Sequence, residues 1–107
     1  MKSKPKPYGS YEEGLLKRLK DPVYAADYLN AVLQDREADV STFLLAVADV
    51  ARAHSMKEVA RKADLHRVGL HKMLGKKGNP EFRSIIRIFK AVRLGFVVQP
   101  KPFALAA

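Results

Sequence analysis

Apolar residues recur at helical spacing along most of this chain, and each run opens on a residue suited to start a helix. Ala25, Tyr28, Leu29, Val32 and Leu33 follow Asp21-Pro22, an N-cap and a first-position proline, which predicts a helix to about Gln34. Before it, Ser10-Tyr11-Glu12-Glu13 has the S-x-x-E form of a capping box and predicts a short helix to about Leu19. The polar run Asp35-Arg36-Glu37-Ala38-Asp39 reads as a loop. Asp39 or Ser41 then caps a helix to about Ala53, with Phe43, Leu44, Val47, Val50 and Ala51 on one face. Leu45, Ala46 and Ala48 widen that face, so this is the expected most buried element. At the far end, Asn79-Pro80 reads as cap and first position of a last helix with Phe82, Ile85, Ile86, Phe89 and Val92 inward. Arg83, Arg87, Lys90 and Arg93 take its other face, and Gly95 is the expected stop, with Phe96 behind it. Phe96 to Gln99 is a candidate for one short extended segment.

Residues 55–74 form a distinct unit. Ser55 and Glu58 make a second S-x-x-E box, so a helix should start at Met56 with Val59, Ala60 and Ala63 inward. Ala60 is small where two helix backbones must cross closely. Leu65, Leu70 and Met73 supply the inner face of a tight turn and a second helix. This spacing is that of the DNA-binding helix-turn-helix, whose second helix lies in the major groove. Asp64 stands at the turn position that usually holds glycine; aspartate visits the left-handed region more readily than most residues. Gly69, inside the second helix, either admits a close backbone or answers no structural need. Arg67, Val68, His71 and Lys72 point away from the Leu70/Met73 face, and Lys76 and Lys77 follow. No acid lies between Asp64 and Glu81, whereas a merely solvated helix face usually mixes signs.

Charge sharpens the division. The 107-residue chain has net charge +9; residues 1–54 carry 8 Lys/Arg against 8 Asp/Glu, and residues 55–107 carry 12 against 3. The excess begins where the helix-turn-helix begins, the electrostatic footprint expected for binding phosphate backbones. From Gly9 to His54 there are 8 acids against 5 bases. The longest apolar run, Phe43 to Ala48, is too short to cross a membrane. Met1 to Pro7 is basic and proline-rich with no apolar stretch behind it, unlike a secretory signal, so the expected location is the cytoplasm.

Chemistry is sparse. There is no cysteine, hence no thiolate metal site or disulfide. His66 and His71 are five residues apart and do not share a helix face as a metal pair would. His54 beside Ser55 is not a nucleophile–base pair, since sequence neighbours do not supply that geometry. Gly75-Lys76-Lys77-Gly78 does not follow a strand and so is not a phosphate loop. No enzyme activity, metal or cofactor is expected.

From Asp21 to Phe96 the order of features resembles a known family. The features are Asp21-Pro22, Tyr28-Leu29, the run Phe43 to Ala53 ending Asp49-Val50-Ala51-Arg52-Ala53, Val59 to Leu65, Gly78-Asn79-Pro80-Glu81-Phe82, and Lys90 to Gly95. They are similar to the addiction-module antidote proteins, helix-turn-helix antitoxins of bacterial toxin–antitoxin pairs. That family usually has Ser or Thr at His66, commonly Gly at Asp64, and S-R-E-S-L-Y where this chain reads His66-Arg67-Val68-Gly69-Leu70-His71. The resemblance implies an antitoxin that neutralises a small basic toxin by direct binding and represses its own operon. A stand-alone helix-turn-helix regulator without a toxin is the alternative.

The expected architecture is all-α: a compact, lambda-repressor-like bundle of five or six helices. A disordered basic arm (1–9) precedes a single helical domain (10–99), and a flexible tail (100–107) follows. The candidate DNA-contacting residues are Ser55, Lys57, His66, Arg67, Val68, His71, Lys72, Lys76 and Lys77. Glu37 and Asp39, in the acidic loop, are the candidates for the toxin. The expected partners are double-stranded operator DNA, the cognate toxin and a second copy in a homodimer, and no membrane.

Overall fold

A computed structural model describes residues 7–100, with side chains from Tyr11 onward. Residues 1–6 and 101–107 lie outside the described residues, and with them most of the expected arm and tail. The described chain is all-helical: α1 (Pro7–Leu19), α2 (Pro22–Gln34), α3 (Val40–Ala53), α4 (Met56–Ala63), α5 (Arg67–Met73) and α6 (Phe82–Ala91). No strand occurs among the described residues, and Phe96 to Gln99 is irregular.

Three of the six helix starts, those of α2, α3 and α4, follow the capping chemistry. Asp21 accepts from the Val23 N–H at 2.9 Å, and Asp39 accepts from both the Thr42 N–H and its hydroxyl at 2.9 Å. Ser55 accepts from the Glu58 N–H at 3.3 Å. Only half of the second capping box forms. The Glu58 carboxylate turns to Arg61, and the Ser55 N–H donates instead to the Arg52 carbonyl at 3.1 Å. Ser55 thus ends α3 and caps α4, at φ 80°. Three boundaries differ from the sequence expectation. α1 begins at Pro7, which suits a first helical position, so Ser10 lies inside the helix and is not its cap. α6 is capped at Glu81, not Asn79-Pro80. Its stop is Arg93, not Gly95: Arg93 takes the left-handed conformation (φ 67°). The Leu94 N–H then reaches the Phe89 carbonyl at 2.8 Å and the Arg93 N–H the Lys90 carbonyl at 3.1 Å, a Schellman end.

α3 carries the largest buried face, with Leu44, Ala46, Val47, Val50, Ala51 and Ala53, while Leu45 stays exposed. It packs against α1, α2 and α4, and α4 in turn holds α5 and α6. One continuous apolar core runs through all six helices. In α6 the buried arc is Ile85, Ile88, Phe89 and Val92. Ile88 replaces Phe82 and Ile86 of the expected stripe because, at 100° per residue, those two fall about 70° and about 110° from the middle of that arc. Phe82 meets Phe96 instead (ring centroids 5.3 Å), and Phe96 stacks on Phe89 at 4.4 Å. A polar tie joins the first three helices: the Tyr28 hydroxyl donates to Asp49 at 2.8 Å, and Arg52 bridges Asp49 and Glu12. Burial first, then the Asp49 hydrogen bond and charge, raises the Tyr28 phenol well above its ordinary pKa.

Candidate nucleic-acid interface

α4 and α5 are placed by a turn of three residues, Asp64 to His66. Asp64 adopts the left-handed conformation (φ 58°, ψ 48°) expected at this point. The Leu65 N–H reaches back to the Ala60 carbonyl at 2.9 Å and closes α4. Val59, Ala60 and Ala63 are buried on the α4 side and Leu70 and Leu74 on the α5 side, with Leu65 and Met73 half-buried. Leu74, just past the helix, carries more of that contact than Met73. With Leu70 fixed inward, Val68, His71 and Lys72 turn outward and Arg67, about 60° round from Leu70, lies on the flank; all four are exposed. His66 caps α5 by position only, with no side-chain hydrogen bond to the helix. Ser55 and Lys57 are exposed at the start of α4.

The basic turn after α5 is tightly formed. The Gly78 N–H donates to the Gly75 carbonyl at 2.9 Å. A Cβ on Gly78 would lie 2.0 Å from the Met73 carbonyl oxygen, so only glycine fits there. Lys76 and Lys77 are exposed on this turn. The Ser41 hydroxyl, in the first turn of α3, donates to the Lys76 carbonyl at 3.5 Å. Among the described residues, Arg67, Lys72, Lys76 and Lys77 make no ion pair. Arg61 differs: its guanidinium grips Glu58 at 2.8 Å, and this hydrogen bond and charge hold the Glu58 carboxyl below its ordinary range.

The acidic loop holds Glu37 and Asp39 at the surface. Glu37 leaves its carboxylate free of described partners, whereas the Asp39 carboxylate is engaged by Thr42, which lowers its pKa. Beside them lies an open hollow of about 430 Å³ lined by Val32, Leu33, Ala38, Asp39, Val40 and Phe43. Leu33 and Val40 are more than half exposed. Sequence reasoning placed the loop but not this hollow. The available signal was an apolar residue near the end of each helix flanking the acidic run.

Fold and surface together define a small all-helical protein whose candidate residues are exposed on short helices and on the turns and loop beside them. No helix of the described chain is long and apolar enough to cross a membrane. The model of a family described as probable addiction module antidote proteins matches residues 14–100. An uncharacterized protein of Haemophilus influenzae is 43% identical over 77 residues, 72% of this chain and 77% of that one. No solved structure matches the chain. The chain belongs to the addiction-module antidote family, which points to a regulatory role and to a toxin as partner.

Proposed function

We propose that the protein is an antitoxin that binds and neutralises a small basic toxin and represses its own operon by sequence-specific DNA binding. One observation carries the DNA part: an acid-free exposed face, Arg67, Val68, His71 and Lys72, on a short helix fixed across α4 by a left-handed turn. This is a helix-turn-helix in which α5 reads base edges in the major groove. Arg67, at the start of α5, is suited to fork onto a guanine. Lys76 and Lys77, with Ser55 and Lys57, meet phosphates. A single such unit reads few bases, so the protein acts as a homodimer on half-sites about 34 Å apart. The exposed Phe82, Phe96, Val97 and Val98 form the surface for the second copy.

The toxin, being basic, is taken at Glu37 and Asp39, with an apolar side chain in the adjoining hollow. Because Ser41 touches the Lys76 carbonyl, this surface borders the basic turn. The two activities therefore separate by residue, not by half of the chain. Arg67, His71 and Lys72 changed together to alanine leave a folded protein that loses operator binding and still neutralises the toxin. Glu37→Lys does the reverse. Asp39→Lys is a poor probe, because it also removes the cap of α3. The measurements are gel shifts on the DNA upstream of the gene and growth rescue against the product of the adjacent short reading frame. Loss of rescue in the folded triple variant would place the toxin on the DNA-reading face. Rescue with no shift in the unaltered protein would refute the repressor role.

A further inference from the structure

We propose that the outer face of α6, formed by Arg83, Arg87 and Lys90, is a second nucleic-acid contact. It grips the phosphodiester backbone without reading sequence, and the proposal rests on the DNA-binding reading above. The buried arc Ile85, Ile88, Phe89 and Val92 turns these three side chains directly outward, and all three are exposed. Positions 83, 87 and 90 fall within one narrow stripe at 100° per residue. At 1.5 Å per residue the stripe is about 10.5 Å long, the axial length of roughly three phosphates on one strand of duplex DNA.

Three further observations favour phosphate over plain solvent or a protein. First, the stripe carries no acid. After Asp64 the only acid in the chain is Glu81, and its carboxylate leans on Arg83 at 3.4 Å. Arg87 and Lys90 make no ion pair among the described residues, whereas exposed Arg52 and Arg61 on α3 and α4 do. Second, nothing apolar stands within the stripe to anchor a protein partner, whose interface centre would be apolar and poor in charge. Third, α6 starts five residues after Lys77, so its cations continue those of the basic turn.

The test is the salt dependence of binding to two duplexes, the DNA upstream of the gene and one of unrelated sequence, measured by fluorescence anisotropy. Arg87→Gln/Lys90→Gln should lower the slope of log K against log salt by about two units per chain on both duplexes alike. Arg87→Lys/Lys90→Arg should restore it. The Arg67/His71/Lys72 triple-alanine protein should keep a weak, sequence-blind affinity that the α6 substitutions then reduce. Far-ultraviolet circular dichroism checks that α6 stays helical, and Arg87→Ala/Lys90→Ala provides a second pair of variants. An unchanged slope in folded variants overturns the proposal and leaves the helix-turn-helix reading standing. A loss confined to one sequence overturns it too. Intact DNA binding with loss of a protein complex assigns the stripe to an acidic protein instead. Failure of the unaltered protein to bind either duplex refutes both readings.

Discussion

Two glycines in the same region answer to different physics. Gly78 sits where a Cβ would meet the Met73 carbonyl oxygen at 2.0 Å, and backbone is the least able of neighbours to yield. Gly69 sits inside α5 with the nearest atom, the His66 Cβ, at 3.8 Å from a built Cβ, an ordinary contact. Within the described chain, then, no backbone crowds Gly69. Gly78→Ala should destabilise by about 1–3 kcal/mol through overpacking, while Gly69→Ala should stabilise by about 1 kcal/mol through helix propensity. Chemical denaturation of both variants checks the pair; destabilisation by Gly69→Ala would mean that α5 is held more closely than described.

At the scale of elements, what was legible was the chemistry of starts and of period. Asp21, Asp39 and Ser55 announce their helices because a short polar side chain at that position accepts a backbone N–H that the first turn leaves unpaired. Apolar spacing gave α2, α3, α4 and α5 nearly to the residue. The stops were harder. Asp64 was readable as left-handed because aspartate tolerates that region. Arg93 was not, since nothing in arginine favours it and Gly95 two residues on offers a better-looking stop. Tertiary packing sets the choice: ending α6 at Arg93 turns Leu94 back onto the core and lets Phe96 lie flat on Phe89. Strain should remain at that point. A left-handed non-glycine residue costs roughly 1–2 kcal/mol, and glycine gives back about 0.4–1 kcal/mol through the unfolded chain. Arg93→Gly should thus raise stability by up to about 1 kcal/mol, and by more than Asp64→Gly. Thermal melts should show this order, and the reverse order would remove the strain argument. The DNA-contact candidates were legible as a face because α5 has one buried position to orient it, Leu70. The hollow beside the acidic loop was not, because it needs α2 and α3 laid side by side.

For the molecule as a whole, His54, at the end of α3, lies within the field of cations from three other parts of the chain. Its Nε2 is buried without a hydrogen-bond partner. Burial first, then the charges of Lys62, Lys20 and Arg93, lowers its pKa below the ordinary 6.5. The unfolded chain therefore binds this proton more readily than the folded one. The stability that a neutral His54 permits is present above about pH 6.5 and is lost as pH falls below it toward the lower folded value. Melting temperatures from pH 8 to pH 5 should fall more steeply for the unaltered protein than for His54→Gln; parallel curves would show that His54 takes its proton without penalty. The basic turn has a different consequence for the whole. Its backbone is tied at Gly75, pressed at Gly78 and touched by Ser41 before any partner arrives. On the proposed DNA-binding reading, a duplex meeting Lys76 and Lys77 would have only two side chains to immobilise, and no loop to order. Association through this turn would then carry little of the entropic penalty of coupled folding, and its strength should follow the ions released from the DNA.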